Sequence, residues 1–188
     1  MYRKFFKRFL DVVLSATGLV LLSPVILIVS VLIYLEDRGP VIFRQRRVGR
    51  DGNTFQVLKF RSMPVDTGDV PSAMANQLKI TRVGRIIRRT NIDEIPQLVN
   101  VLRGDMSLVG PRPPLPSQEA LCRMREANGA LSCAPGLTGL AQIKAYDGMP
   151  ETEKAGYDGR YAAGITFLTD AKIILKTLWY LRRRPPVY

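Results

Sequence analysis

The sequence predicts a mixed α/β, mostly helical fold that starts with a membrane-buried helix pair, and three observations lead there. Residues 12–35, "VVLSATGLVLLSPVILIVSVLIYL", carry no charge over a length that fits a membrane helix. That run is interrupted by Ser23-Pro24, and an internal proline removes a backbone donor and breaks or kinks a helix. Residues 41–45 and 54–63 alternate apolar and polar positions around a Gly/Asp/Asn cluster, the pattern of a β-hairpin.

Composition narrows the chemistry. Over 188 residues, Lys+Arg 28 against Asp+Glu 16 gives a formal charge of +12. Such an excess favours anionic partners: nucleic acid, lipid headgroups or phosphorylated small molecules. Histidine is absent, which excludes Ser–His–Asp and Cys–His catalysis and His-based metal sites. Cys122 and Cys133 match no zinc spacing and make no disulfide framework, so the reading is a reducing cytoplasm.

The apolar run is flanked by base on both sides. Arg3, Lys4, Lys7 and Arg8 precede it; Arg38, Arg44, Arg46, Arg47 and Arg50 follow. A spanning helix is oriented by an asymmetry of Lys and Arg, and none is visible here. A helix–break–helix that enters one leaflet and returns to the same face satisfies both flanks, while a proline-kinked span is the alternative. The division that follows is residues 1–35 as a re-entrant membrane helix and 36–188 as a cytoplasmic catalytic domain with membrane-interface helices.

"EDRGP" (36–40) is a turn into the hairpin. In its second strand Phe55, Val57 and Lys59 share one face and Gln56, Leu58 and Phe60 the other. Lys59 on such a strand reads as a snorkelling edge lysine or as a functional cation. Residues 64–76 read as a loop, and 77–89 as a helix with Arg82, Arg85, Arg88 and Arg89 as its cationic side. In "RRTNIDEIPQLVN" (88–100), Pro96 is tolerated only in a first helical turn. A helix is therefore expected to start close to Asp93 and end near Gly104, with Asp93 and Glu94 at its positive end. Acidic residues there cap and complement the dipole, whatever else they do.

Gly110, Pro111, Pro113, Pro114 and Pro116 hold Arg112 in an extended path, as a surface turn or as a fixed anion contact. Residues 117–128 read as a helix and "APGLTGLAQI" (134–143) as a Gly/Thr turn into an apolar run. "ETEKAGYDGRYAAG" reads as a helix carrying Asp158. The last segment is amphipathic, with Phe167, Leu168, Ile173, Ile174, Leu178, Trp179 and Leu181 against Lys172, Lys176 and Arg182–Arg184. It suits a helix at a membrane interface or a core helix with a basic tail.

Taken together, the apolar run with "SP", "GPVIFRQRRVGRDGNTFQVLKFRSM", "RTNIDEIPQLVNVLRGDMSLVGPRP", "PGLTGLAQI" and "FLTDAKIILKT" resemble the monotopic phosphoglycosyl transferases, the bacterial sugar transferase family. The segments cover nearly the whole chain in family order and look like the family's minimal form. The resemblance implies transfer of a sugar-1-phosphate from a UDP-sugar to polyprenyl (undecaprenyl) phosphate, with UMP released, at the cytoplasmic face of the bacterial inner membrane. It implies that Asp93 is a nucleophile forming a covalent phosphosugar and that Glu94 holds Mg²⁺. It implies that Lys59, Arg88, Arg112 and Asp158 bind substrate. Implied partners are the UDP-sugar, polyprenyl phosphate, anionic phospholipid and downstream glycosyltransferases, and no nucleic acid.

Two other readings fit parts of the chain. A nucleic-acid binder explains the charge but not the apolar run, and no RRM, helix-turn-helix or zinc signature is present. A membrane scaffold explains the run but not the order Lys59, Asp93-Glu94, Arg112. The sugar is not legible; residues 64–76 and 117–160 are where it would be selected.

Overall fold

A computed structural model of the chain describes residues 2–67, 80–144 and 149–181. The tip of the expected loop, the start of the expected 77–89 helix and the Arg182–Arg184 tail lie outside the described residues.

The apolar run folds as two helices, α1 (Lys7–Leu21) and α2 (Ser23–Glu36), bent by 61°. Leu22 is the only residue between them, and Pro24 stands in the first turn of α2, where its missing N–H costs nothing. Ser23 Oγ donates to the Val20 carbonyl at 2.8 Å, satisfying an acceptor that the proline leaves open. Among the described residues no single helix is long and apolar enough to cross a membrane, although the bent pair together has the length and composition. At 1.5 Å per residue each arm is only about 22 Å long. Val20, Leu21, Leu27, Ile28 and Leu35 are exposed on it.

The first arm is not a free tether. Arg8 donates to the Val101 and Leu102 carbonyls, closing the last turn of another helix. Asp11 Oδ1 accepts from Leu108 N at 3.0 Å, and Lys7 Nζ lies 2.7 Å from Asp170 Oδ2. Thus Lys7 and Arg8, two of the four residues in the basic flank before the run, turn inward to protein rather than outward to lipid.

Strands β1 (Ile42–Val48) and β2 (Thr54–Phe60) pair antiparallel, with Phe43 opposite Lys59 and Gln45 opposite Val57. The turn between them places Asp51 and Gly52 at positive φ, as its Asp-Gly-Asn sequence anticipates. Helix α3 (Arg82–Arg89) is capped by the Thr81 side chain and by Glu36, which accepts from Arg82 N and Val83 N. The end of α2 is thereby fastened to the start of α3. Val29, Ile33, Phe60 and Ile87 form one core where α2, β2 and α3 meet.

The helix expected from Asp93 begins later. Ile92–Glu94 is a separate 3₁₀ turn, and α4 runs Gln97–Arg103 with Pro96 as its cap. Gly104 ends it at φ +94°, as expected for a left-handed stop. Asp93 and Glu94 therefore sit one turn ahead of the helix, not within its first turn. Pro96 stands just before the first turn rather than within it, and the acidic pair precedes it by too much to share the ladder.

Two elements lacked a sequence signal. Strands β3 (Ser107–Val109) and β4 (Gly136–Thr138) form a small parallel pair. Gly136 packs so closely that a Cβ there would stand 2.1 Å from Gly110 N. Gly136→Ala is expected to cost about 1–3 kcal/mol through overpacking, seen as a lower thermal unfolding midpoint. An unchanged midpoint would mean that the pair yields freely.

Helices α5 (Glu119–Ala127), α6 (Glu151–Ala163) and α7 (Phe167–Leu181) complete the fold. Ile173 of α7 is buried against Val109 and Tyr161. Phe167, Leu168, Leu175, Leu178 and Trp179 point outward, as do Phe5, Phe6 and Phe9 at the N-terminus. The segment thus buries one side in the core through Ile173 and leaves an apolar face exposed on the other.

Candidate active site

A reversal of the chain assembles the charged residues. After α3, Asn91 adopts a left-handed conformation (φ 55°) that asparagine tolerates better than most residues. This turns the chain from Arg88 directly into Ile92–Glu94. On the other side, β2 delivers Lys59, and the segment after β3 delivers Arg112.

Lys59 Nζ lies 2.7 Å from Glu94 Oε1, and Arg112 Nη2 lies 3.1 Å from the same oxygen. The Glu94 side chain is only 14% exposed. Burial pushes its pKa up, but Lys59 and Arg112 outweigh burial and hold it at about 2. Its half-buried neighbour Asp93 behaves oppositely. Burial and the Glu94 charge raise it to about 6, against the pull of Lys59, Arg88 and Arg112. Two adjacent carboxylates are thus driven apart by environment, a pattern that marks functional sites. Arg88 is oriented by donating from Nε to Ser62 Oγ at 2.9 Å.

Five of the six residues singled out in the sequence, Lys59, Arg88, Asp93, Glu94 and Arg112, act on one another here. Asp158 is not among them. It is 1% exposed, and its Oδ2 accepts from Arg125 Nε and Nη2 at 2.9 and 2.6 Å. Arg125 in turn donates from Nη1 to the Arg112 carbonyl at 2.9 Å.

With this arrangement in place, residues 2–184 match the sequence model of the family described as "Bacterial sugar transferase". The chain belongs to that family. It is 43% identical over 181 residues to the UDP-glucose:undecaprenyl-phosphate glucose-1-phosphate transferase of Caulobacter vibrioides, covering 92% of this chain and 68% of that one. It is 37% identical to the undecaprenyl-phosphate galactose phosphotransferase of Salmonella typhimurium, covering 98% of this chain and 42% of that one. It is 38% identical to the exopolysaccharide production protein PSS of Rhizobium leguminosarum, covering 90% and 88% respectively. The chain therefore spans less than half of one of these relatives and most of another.

Sequence reasoning missed two residues of this bacterial sugar transferase that set the site's geometry. Asn100 of α4 is fully buried, donating to the Gln56 carbonyl and accepting from Leu58 N at 2.8 and 3.0 Å. It locks α4 to β2 on either side of Val57, which fixes Lys59 against the turn that carries Glu94. Its signal was a polar amide inside the apolar run "LVNVL". Arg125 is 2% exposed, and nothing in its surface-like sequence pattern sets it apart from Arg123.

Among the described residues no group of three or more acidic or sulfur side chains could cage a metal. Mg²⁺, however, is commonly held by one or two carboxylates and the substrate's own phosphates. Glu94 fits that role. It is kept ionised, and no described hydrogen bond occupies its Oε2.

Proposed function

We propose that this chain transfers a sugar-1-phosphate from a UDP-sugar to polyprenyl phosphate and releases UMP, as the first membrane step of a bacterial glycoconjugate. The carrying observation is the half-buried Asp93 carboxylate beside a Glu94 already gripped by Lys59 and Arg112. The activities named for the relatives support the reaction class.

An Asp93 oxygen attacks the sugar-bearing phosphorus of the donor. The bond from that phosphorus to the UMP oxygen breaks, and UMP leaves with the electron pair. A phosphosugar is left as a mixed anhydride on Asp93. An oxygen of polyprenyl phosphate then attacks the same phosphorus, and the Asp93 carboxylate departs unchanged. Both nucleophiles are anions near neutral pH, so no general base is required. This is how the chemistry can run without histidine. Lys59, Arg88 and Arg112 counter the charge that gathers when anion meets anion, Arg as a planar fork and Lys as a point charge. Glu94 would hold Mg²⁺, which supplies charge neutralisation on the phosphoryl oxygens when bound.

The chain would sit monotopically on the cytoplasmic face of the inner membrane. The bent α1–α2 pair enters one leaflet and returns, and the exposed apolar face of α7 lies at the headgroups beside anionic phospholipid. The acceptor's phosphate then stays at the height of the site while its tail stays in lipid. In a cysteine-free background, single cysteines at Phe5 and Arg38 are expected to react with an impermeant maleimide from the same side of sealed vesicles. Labelling from opposite sides would replace re-entry by a kinked span.

The relatives' names include both glucose and galactose, so the sugar is left to experiment. Purified protein in nanodiscs with undecaprenyl phosphate and Mg²⁺ is expected to release UMP from at least one of UDP-glucose, UDP-galactose and their N-acetylhexosamine counterparts. EDTA should stop it. No UMP from any donor would overturn the reading. The lipid-linked product would then be substrate for glycosyltransferases that extend it.

A further inference from the structure

The segment that carries Arg112 is held in an unusually complete way. Gly136 N donates to the Pro111 carbonyl at 2.9 Å and Val48 N to the Pro114 carbonyl at 3.0 Å. Arg125 Nη1 donates to the Arg112 carbonyl at 2.9 Å and Arg47 Nη1 to the Pro113 carbonyl at 3.3 Å. Four consecutive carbonyls are thus taken by donors from three distant parts of the chain, Arg47 and Val48 of β1, Arg125 of α5 and Gly136 of β4. Three of the four residues are prolines, whose φ is fixed by their rings.

Only one of those bonds lands on Arg112 itself, and its donor is buried with a counter-ion. Arg125 and Asp158 are 2% and 1% exposed. The guanidinium spends Nε and Nη2 on Asp158, joining α5 to α6, and turns Nη1 to the Arg112 carbonyl. A buried ion pair of this sort adds little stability over an apolar pair of similar volume. Its place behind Arg112, whose own side chain is 38% exposed and reaches Glu94, is what the pair has to offer.

We propose that Arg125 and Asp158 are positioning residues: Asp158 orients the Arg125 fork, and Arg125 fixes the Arg112 backbone so that its guanidinium meets the donor phosphate in one geometry. This rests on the proposed transfer reaction and reassigns Asp158 from contacting substrate to acting through Arg125 and Arg112.

The test is a double-mutant cycle. Replacing the pair by apolar residues of similar size, Arg125→Met with Asp158→Leu, removes the charge pair and the donor together. Its effect is measured with and without Arg112→Ala, as kcat/KM for UMP release from whichever of the four donors named above the native chain uses. The pair replacement is expected to lower kcat/KM about 10- to 100-fold, the scale of a misplaced catalytic contact. Arg112→Ala is expected to cost about 100-fold in the native background and under about 10-fold once the pair is gone. A smaller folded fraction multiplies both arms of the cycle equally and cancels. The inference is overturned if the pair replacement stays within about twofold of the native chain. It is equally overturned if Arg112→Ala costs the same factor in both backgrounds. A native chain that releases no UMP fails at the first step, and rejects the reaction and this inference together.

Discussion

Asp93→Asn should end UMP release and make the protein more stable. The amide cannot displace UMP, so turnover should fall at least about 10⁴-fold, the scale seen when a covalent nucleophile is removed. Incubation with donor alone should give a phosphosugar adduct by intact mass in the native chain and none in the variant. The stability effect follows from the raised pKa. A carboxyl whose folded pKa is about 6 against an ordinary 3.8 favours the folded state while protonated. That contribution is complete below pH 3.8 and is lost as pH rises through 6. At pH 7 the native chain carries the full cost of a half-buried charge, and asparagine removes it. The gain is at most about 3 kcal/mol at 1.36 kcal/mol per unit, read as a higher unfolding midpoint in metal-free buffer. An Asn variant that still turned over would end the account of Asp93 as nucleophile.

Glu94→Gln should also cripple the enzyme, but with the opposite sign on stability. Losing this carboxylate leaves Lys59 and Arg112 to turn on Asp93, pairing with the nucleophile instead of the donor. It also removes the oxygen charge proposed to hold Mg²⁺. A loss of about 10²–10³-fold in kcat is expected, comparable to removing a preorganised electrostatic contact. Glu94 is held at about 2 rather than 4.5, so its stabilisation is present above pH 4.5 and is lost as pH falls through 2. Glutamine therefore forfeits up to about 3 kcal/mol at neutral pH, and the unfolding midpoint should drop. Neighbouring isosteric substitutions would thus move the midpoint in opposite directions. A Glu94→Gln protein as stable as the native chain would mean that Lys59 and Arg112 do not hold this carboxylate as described.

The elements with a period or a punctuating residue were legible. The hairpin followed from alternation around Asp51-Gly52, the bend from Pro24 and the end of α4 from Gly104. So was the charged constellation, because the family pattern runs through Lys59, Asp93-Glu94 and Arg112 in order. What failed were contacts between distant segments that leave no local trace. Strands of three residues, such as Gly136–Thr138, are too short to alternate. The 3₁₀ turn at Ile92–Glu94 differs from a helix start only in where its carbonyls go. Arg125 looks like a solvated arginine until α6 brings Asp158 to it, and Asp158 looks like an active-site acid until Arg125 occupies it.

Arg8 closing the carbonyl end of α4 has a practical corollary for anyone wishing to handle this enzyme without lipid. Cutting away the first forty residues would not liberate a water-soluble catalyst. It would strip Val101 and Leu102 of their guanidinium, Leu108 of its aspartate and Asp170 of its lysine. The greasy stem and the chemistry are one folding unit, so purification has to carry both.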